Sequence, residues 1–377
     1  MAQTIPRGWR ELEIKDFLKF TPREVEKPKV QYRSLGIRSH CKGTFVRVVK
    51  NPDKVMMETL YAVKKDDLIV NITFAWEGAV ALIKQSDEGA LVSHRFPTYV
   101  FNRDVAIPEF FKYLIPSKRL VYNLGIISPG GAGRNRVLDR NDFLDLQFVM
   151  PPVEEQKKIA QILSAWDRAI EKLDKLIEAK TRLKKGLMQK LLSGRMRFGG
   201  FDEQWRDCEY EEIFETVSAK KNQISKDRYM TFGKYPVVDQ GQSKIVGYTD
   251  EERVFQHVPV IVFGDHTRIV KWVDFPFVVG ADGTQILKTK SLCDQKYGYY
   301  ALCNLRLPNL GYSRHFKEVK ESVFFIPKSP KEQQRIAMLL SSVDQELSCL
   351  NGMQEMLKAQ KKGLMQKLLT GKIRVKI

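Results

Sequence analysis

The nine residues Lys-Lys-Gly-Leu-Met-Gln-Lys-Leu-Leu occur twice, letter for letter, beginning at Lys184 and again at Lys361, an offset of 177. The same offset continues upstream. Glu155-Gln156 matches Glu332-Gln333, Ile159-Ala160 matches Ile336-Ala337, Leu163-Ser164 matches Leu340-Ser341, and Asp167 matches Asp344. Between these anchors the surface positions diverge while an apolar seam persists: Ile159, Leu163, Trp166, Ile170 and Leu173 align with Ile336, Leu340, Val343, Leu347 and Leu350. Steps of four and three place one narrow stripe along a long helix, which suits pairing with another helix better than covering a sheet. Each copy is therefore expected to supply one strand of a coiled coil.

The ends of the repeat agree with a helix. Pro151-Pro152 precede Val-Glu-Glu-Gln, with acids in the first turn where the helix dipole favours them. Lysines crowd the last turns, and Ser193-Gly194 and Thr370-Gly371 close the two copies. A helix from 154 to 192 holds 39 residues and would be roughly 58 Å long at about 1.5 Å per residue.

Outside the helices the two halves echo each other faintly. Gly-Trp-Arg-Glu at 8–11 resembles Gln-Trp-Arg-Asp at 204–207, pairing Trp9 with Trp205 at an offset of 196, so the second variable stretch is 19 residues shorter than the first. Runs such as Gly-Thr-Phe-Val-Arg-Val-Val (43–49), Asp-Leu-Ile-Val-Asn-Ile-Thr-Phe (67–74), Pro-Val-Ile-Val-Phe-Gly (259–264) and Phe-Pro-Phe-Val-Val (275–279) are β-branched and aromatic, bounded by Gly, Asp and Pro. Short helices are expected at 105–115 and 294–304. The expectation is an α+β chain: two α/β, mostly β, domains at 1–152 and 199–328, each followed by a long spacer helix region, at 153–198 and 329–377, in a pseudo-two-fold internal repeat.

The 377 residues carry 63 Lys and Arg against 45 Asp and Glu, a formal net charge of +18. Such a surface attracts polyanions through counterion release, which places nucleic acid first and an acidic membrane second. The longest apolar runs are strand-sized, far below the ~20 residues of a membrane span, and the N-terminal stretch has no signal-peptide pattern, so a cytoplasmic protein is expected. Five cysteines without Cys-x-x-Cys spacing suggest reduced packing residues. Met150-Pro151-Pro152-Val153 lacks the amide or acid and the aromatic ring of an adenine methyltransferase loop. Pro-Gly-Gly-Ala-Gly at 129–133 lacks both dinucleotide and P-loop spacing. The five histidines show no ligand spacing, so neither catalytic residues nor a metal are expected.

The order of parts, the repeated Glu-Gln-to-Lys-Lys-Gly-Leu-Met-Gln-Lys-Leu-Leu helices, Ser-Pro-Gly-Gly-Ala-Gly-Arg-Asn at 128–135, Gly-Tyr-Ser-Arg-His-Phe-Lys at 311–317, Gln-Gly-Gln-Ser-Lys-Ile-Val-Gly-Tyr at 240–248 and Gly-Asp-His-Thr-Arg at 264–268 resemble a type I restriction-modification DNA specificity subunit over essentially the whole chain. The resemblance implies two target recognition domains, antiparallel spacer helices, and a non-catalytic role. One half of a split target in double-stranded DNA would be read by each domain. It also implies two modification (methyltransferase) subunits and restriction (endonuclease and translocase) subunits as partners, no membrane, and no cofactor on this chain, with S-adenosylmethionine and ATP held only by the partners. A basic coiled-coil scaffold that binds DNA or partners nonspecifically is the alternative.

For DNA contact, Arg134, Asn135 and Arg136 sit in one glycine-rich turn, and Tyr312, Ser313, Arg314 and His315 at the corresponding place in the second half. Arg can reach guanine edges or phosphates, and Asn can pair with adenine. Asp265, His266, Thr267 and Arg268 follow a stiff strand, and Asn71, Thr73, Trp76 and Arg95 are their counterparts in the first domain, with core packing as the competing role for Trp76. By resemblance, Met188-Gln189 and Met365-Gln366 are candidate contacts for the modification subunits; the competing reading is that the methionines finish a helix-packing core.

Overall fold

The computed structural model describes residues 5–130, 136–308, 311 and 313–377. The chain divides into two compact units, Met1–Lys172 with Gln354–Ile377, and Leu173–Met353. Each contains part of both long helices, Val153–Leu191 and Pro330–Leu368, which hold 39 residues apiece.

In the first unit a four-stranded antiparallel sheet runs in the order Leu18–Phe20, Thr98–Phe101, Leu68–Val70, Val80–Leu82. Leu68-Ile69-Val70 is apolar throughout because this inner strand is buried on both faces. A second sheet has the order Glu24–Glu26, Thr59–Ala62, Leu91–Val92, Tyr32–Ile37, Thr44–Val49, with one parallel pair at Ser34 and Leu91. A two-stranded ribbon joins Arg10–Glu13 to Gln147–Met150. The expected helix at 105–115 is a single turn, Pro108–Phe111, followed by turns up to Pro116; a longer helix, Lys118–Ile126, begins where the Ser117 side chain accepts from the Leu120 N–H.

The second unit repeats this plan. Its antiparallel sheet runs Phe214–Val217, Thr284–Thr289, Val260–Gly264, Val270–Val273, and its ribbon joins Arg206–Glu209 to Val323–Ile326. The other sheet runs Gly247–Thr249, Tyr235–Val238, Phe277–Val279, Val254–Phe255, again with one parallel pair. Among the described residues it has no counterpart of the Glu24–Glu26 edge strand. The helix Gln295–Asn304 is capped by Asp294, whose carboxylate accepts from the Lys296 and Tyr297 N–H groups.

The two cores explain the repeated residues. Ile159, Ala160 and Leu163 are buried among Phe17, Tyr99, Phe110, Phe111 and Phe148, and Ile336, Ala337 and Leu340 among Phe214, Phe263, Tyr297, Tyr300 and Phe324. At its first two steps the stripe therefore joins a core that the adjacent domain shares with the other long helix, which contributes Leu368 to the first cluster and Leu191 to the second. Further along, Leu173 and Val343 are buried and Trp166, Ile170, Leu347 and Leu350 half-buried.

Three polar keys recur beside these cores. Gln156 and Gln333 are fully buried: the Gln156 Oε1 accepts from the Ile107 N–H at 3.0 Å and its amide donates to the Val105 and Pro151 carbonyls at 2.8 and 2.9 Å. Gln333 makes the same set with the Asp294 N–H at 2.6 Å and the Leu292 and Pro327 carbonyls at 3.0 and 2.8 Å. The buried Glu155 carboxylate takes both Nε and a terminal nitrogen of Arg374 at 2.7 Å, and the Trp9 indole N–H at 3.1 Å. Glu332 takes Arg197 twice at 2.9 Å and Trp205 at 3.3 Å. Tyr113 and Tyr300 hydroxyls donate to Asp167 and Asp344, each at 2.7 Å. Paired, hydrogen-bonded carboxylates and amides are what a buried polar residue requires, and this is why Glu-Gln recurs where a purely apolar helix start would pack.

Candidate nucleic-acid interface

In both units, the loop that follows the buried inner strand meets the loop just before the edge ribbon. In the first unit the Leu138 N–H donates to the Ile72 carbonyl at 2.8 Å and the Ile72 N–H to the Arg95 carbonyl at 3.0 Å. This gathers Asn71, Thr73, Trp76, Arg95 and Arg136 at one corner. Asn71 is buried, and its Oδ1 accepts from the Thr73 N–H at 3.1 Å, so it shapes the turn from within. Trp76 is half-buried and donates to the Thr73 carbonyl at 3.2 Å, with the Arg136 guanidinium 5.4 Å from its ring centre. Arg136 is further committed to the Ser128 and Gly125 carbonyls, both at 3.1 Å, near the end of the Lys118–Ile126 helix, where the dipole favours a cation. Of the expected contacts here, Arg95 is exposed and Thr73 half-buried. Arg134 and Asn135 lie outside the described residues.

The hairpin turn Arg38–Gly43 was not singled out from the sequence, yet it docks on the same corner. The His40 and Cys41 N–H groups donate to the Glu77 and Gly78 carbonyls at 2.7 and 2.9 Å, and both residues hold positive φ, 59° and 55°. Such strain persists only where surrounding contacts over-determine it. Gly78, at φ +74°, has the Cys41 sulfur 3.1 Å from where a Cβ would stand, so glycine is required there.

In the second unit the His315 N–H donates to the Asp265 carbonyl at 2.9 Å, the counterpart of the Leu138 bond. His315 is 0% and Asp265 4% exposed, and the Asp265 carboxylate accepts from the Phe316 N–H at 2.8 Å. Expected as surface contacts, these two instead lie behind the surface and hold its loops together. The His266 Nδ1 lies 3.2 Å from the Ser313 carbonyl, and the Arg268 guanidinium 3.3 Å from that of Pro308. Thr267 is exposed at the turn, and Arg314 has 80% of its side chain in solvent with Asp265 4.0 Å away. Tyr312 lies outside the described residues.

A third loop, 239–244, completes this cluster. Gln240 accepts from the His266 N–H at 3.0 Å and from the Thr267 hydroxyl at 2.6 Å, and donates to the Asp282 carbonyl at 2.7 Å. Lys271, only 6% exposed, donates to the Asp239 and Ser243 carbonyls at 2.6 Å each. Burial pushes its ammonium below the usual lysine range, and the nearby Asp239 opposes that shift. Gly283, at φ +88°, would place a Cβ 2.7 Å from the Gln240 amide.

Met188 and Met365 are half-buried, packed against the second and first cores respectively, and the neighbouring Gln189 and Gln366 are exposed. Among the described residues no group of three or more His, Cys, Asp or Glu is placed to hold a metal, and no helix is long and apolar enough to cross a membrane.

Two sheets of one strand order, each presenting a polar loop cluster at the same corner, define a duplicated, two-headed recognition protein. The chain belongs to the type I restriction modification DNA specificity domain family, whose model matches residues 6–181 and 202–359. It is 25% identical over 413 residues to the type I restriction enzyme MjaVIII specificity subunit of Methanocaldococcus jannaschii, covering 99% of this chain and 94% of the relative. Among solved structures, the type I restriction-modification S subunit of M. genitalium aligns with a TM-score of 0.65 at 18% identity, covering 98% of each chain. The HsdS subunit of Thermoanaerobacter tengcongensis aligns at 0.51 and 17%, covering 99% of each. These two likenesses concern the fold.

Proposed function

We propose that this chain is the non-catalytic DNA-reading subunit of a type I restriction-modification complex, recognising a split duplex target with one half-site per domain. The observation that carries this reading is the duplication of one loop cluster on two sheets of identical order, within a chain of net charge +18. Loops on a rigid scaffold supply base contacts, and basic residues supply phosphate contacts. Thr73, Arg95, Thr267 and Arg314 are the outward members of the two clusters; Asn71, Trp76, Arg136, Asp265, His266, Arg268, Ser313 and His315 shape them.

The long helices act as the spacer that sets the number of unspecified bases, paired as an antiparallel coiled coil. In the second unit Lys180 meets Glu346 at 2.8 Å and Lys184 meets Asp344 at 2.5 Å; in the first, Lys361 meets Asp167 and Arg374 meets Glu155. Partner numbers fall on one helix as they rise on the other, which supports opposed directions. Two modification subunits and the restriction subunits dock on the exposed helix surfaces around Gln189 and Gln366, and S-adenosylmethionine and ATP belong to those partners. The complex works in the cytoplasm.

Single-molecule methylome sequencing of cells expressing this chain with its methyltransferase tests the proposal. One methylated bipartite motif is expected, and exchange of residues 1–152 for another family member's first domain should change one half of it. An assembled complex that leaves methylation unchanged would refute the reading.

A further inference from the structure

The loop 239–244 of the second unit is held from several sides. Beneath it, the Lys271 ammonium donates to the Asp239 and Ser243 carbonyls. Within it, the Asp239 Oδ1 accepts from the Gly241 N–H at 2.7 Å. Beside it, the Tyr229 hydroxyl donates to Asp239 at 3.4 Å and accepts from the Ala281 N–H at 2.7 Å. Gln240 is tied to His266, Thr267 and Asp282, and Lys244 pairs with Asp274 at 3.2 Å. At the tip, Gln242 is exposed, and its amide has no hydrogen-bond partner among the described residues.

Withdrawing an ammonium from water is costly unless it is bonded and paired; here two loop carbonyls and the Asp239 carboxylate, 3.9 Å away, compensate it and so fix the shape of the loop. A loop so fixed presents its free tip in one orientation, which is the requirement for reading rather than merely touching a ligand. The tip's free group is an amide, one donor and one acceptor side by side. Adenine offers the complement in the major groove, N7 as acceptor and N6–H as donor.

We infer that Gln242 reads the major-groove edge of an adenine in the half-site of the second domain, with Lys271 as the positioning residue that fixes the reading loop. The Gln242 Nε2–H donates to adenine N7 and its Oε1 accepts from N6–H. This deepens the proposed function and rests on it. Asn71, Thr73 and Arg95 of the first unit take no part.

The test uses the full chain assembled with its methyltransferase and a duplex library randomised across both half-sites. Wild type should prefer adenine at one position of one half-site by about tenfold or more. Gln242→Ala should cut that preference to within about threefold, leaving every other position and the thermal unfolding unchanged, because Gln242 is exposed. Lys271→Met should relax several positions of that same half-site while the other half-site keeps its full preference. A Gln242→Ala protein that retains the adenine preference overturns the inference. So does a uniform loss of affinity across all sequences, which would mark a phosphate contact. If wild type shows no preferred motif, the proposed function falls and this inference with it, whereas a normal wild-type motif insensitive to Gln242→Ala overturns the inference alone.

Discussion

Replacing Gln333 by Met tests whether the recurring Glu-Gln pair is a structural key. Methionine keeps nearly the same volume, so little cavity is created. What it removes is three hydrogen bonds at a site of 0% exposure, leaving the Asp294 N–H and the Leu292 and Pro327 carbonyls without partners. A buried polar group left unsatisfied costs about 1–3 kcal/mol, so three would sum to roughly 3–9 kcal/mol. Water can reach the exposed Leu292 and half-buried Asp294, which places the substitution in the lower part of that range, roughly 3–6 kcal/mol, a large part of a margin of about 5–15 kcal/mol. Urea unfolding measures this directly, the shift in midpoint at unchanged slope reporting stability alone. Gln156→Met, with the same three bonds in the first unit, should fall by a similar amount. Gln334→Met, on the exposed face one residue away, should stay within about 0.5 kcal/mol. A loss below about 1 kcal/mol for Gln333→Met would refute the reasoning, since it would mean the three groups find water or each other at no cost.

Two further outcomes follow from charge. Affinity for duplex DNA should fall more than about tenfold between 50 and 200 mM salt through release of counterions from several phosphates; a flat titration would remove the basic surface from the binding account. Burial pushes the Asp167 carboxyl up, but the hydrogen bonds from Lys361 and Tyr113 outweigh it and hold the group below its usual range. Its stabilisation is therefore present above the ordinary carboxylate value and is lost only as pH falls through the lower folded-state value. The difference in unfolding temperature between wild type and Asp167→Asn should hold from neutrality to about pH 4 and shrink beneath it; closure of that difference between pH 6 and 5 would contradict the assignment.

The long helices were legible in the sequence because periodicity, caps and the exact repeat all act locally: the expected span 154–192 and the observed Val153–Leu191 differ by one residue at each end. The pairing of Trp9 with Trp205 was visible too, but not its cause, since Arg374 and Arg197 reach their glutamates across 219 and 135 residues. The heptad stripe did not reveal that Ile159 and Leu163 also close the adjacent domain, because a helix that seals a domain and a helix that pairs with another show the same spacing. Asp265 and His315 looked like surface contacts because side-chain chemistry does not reveal burial. Lys271 was overlooked although its alternation with Val273 marked it as inward-facing: strand periodicity places a side chain, but its carbonyl partners lie in another loop, fixed by tertiary structure alone.

The arginine that meets Glu155 and the leucine at 368 that joins the first core are translated after the whole of Leu173–Met353. The second unit is one uninterrupted stretch, Leu173–Met353, whereas the first closes only with Gln354–Ile377. Emergence from the ribosome therefore inverts the order of completion: the half that starts first must wait, its core open and its buried carboxylate unanswered, until the half made after it is already whole.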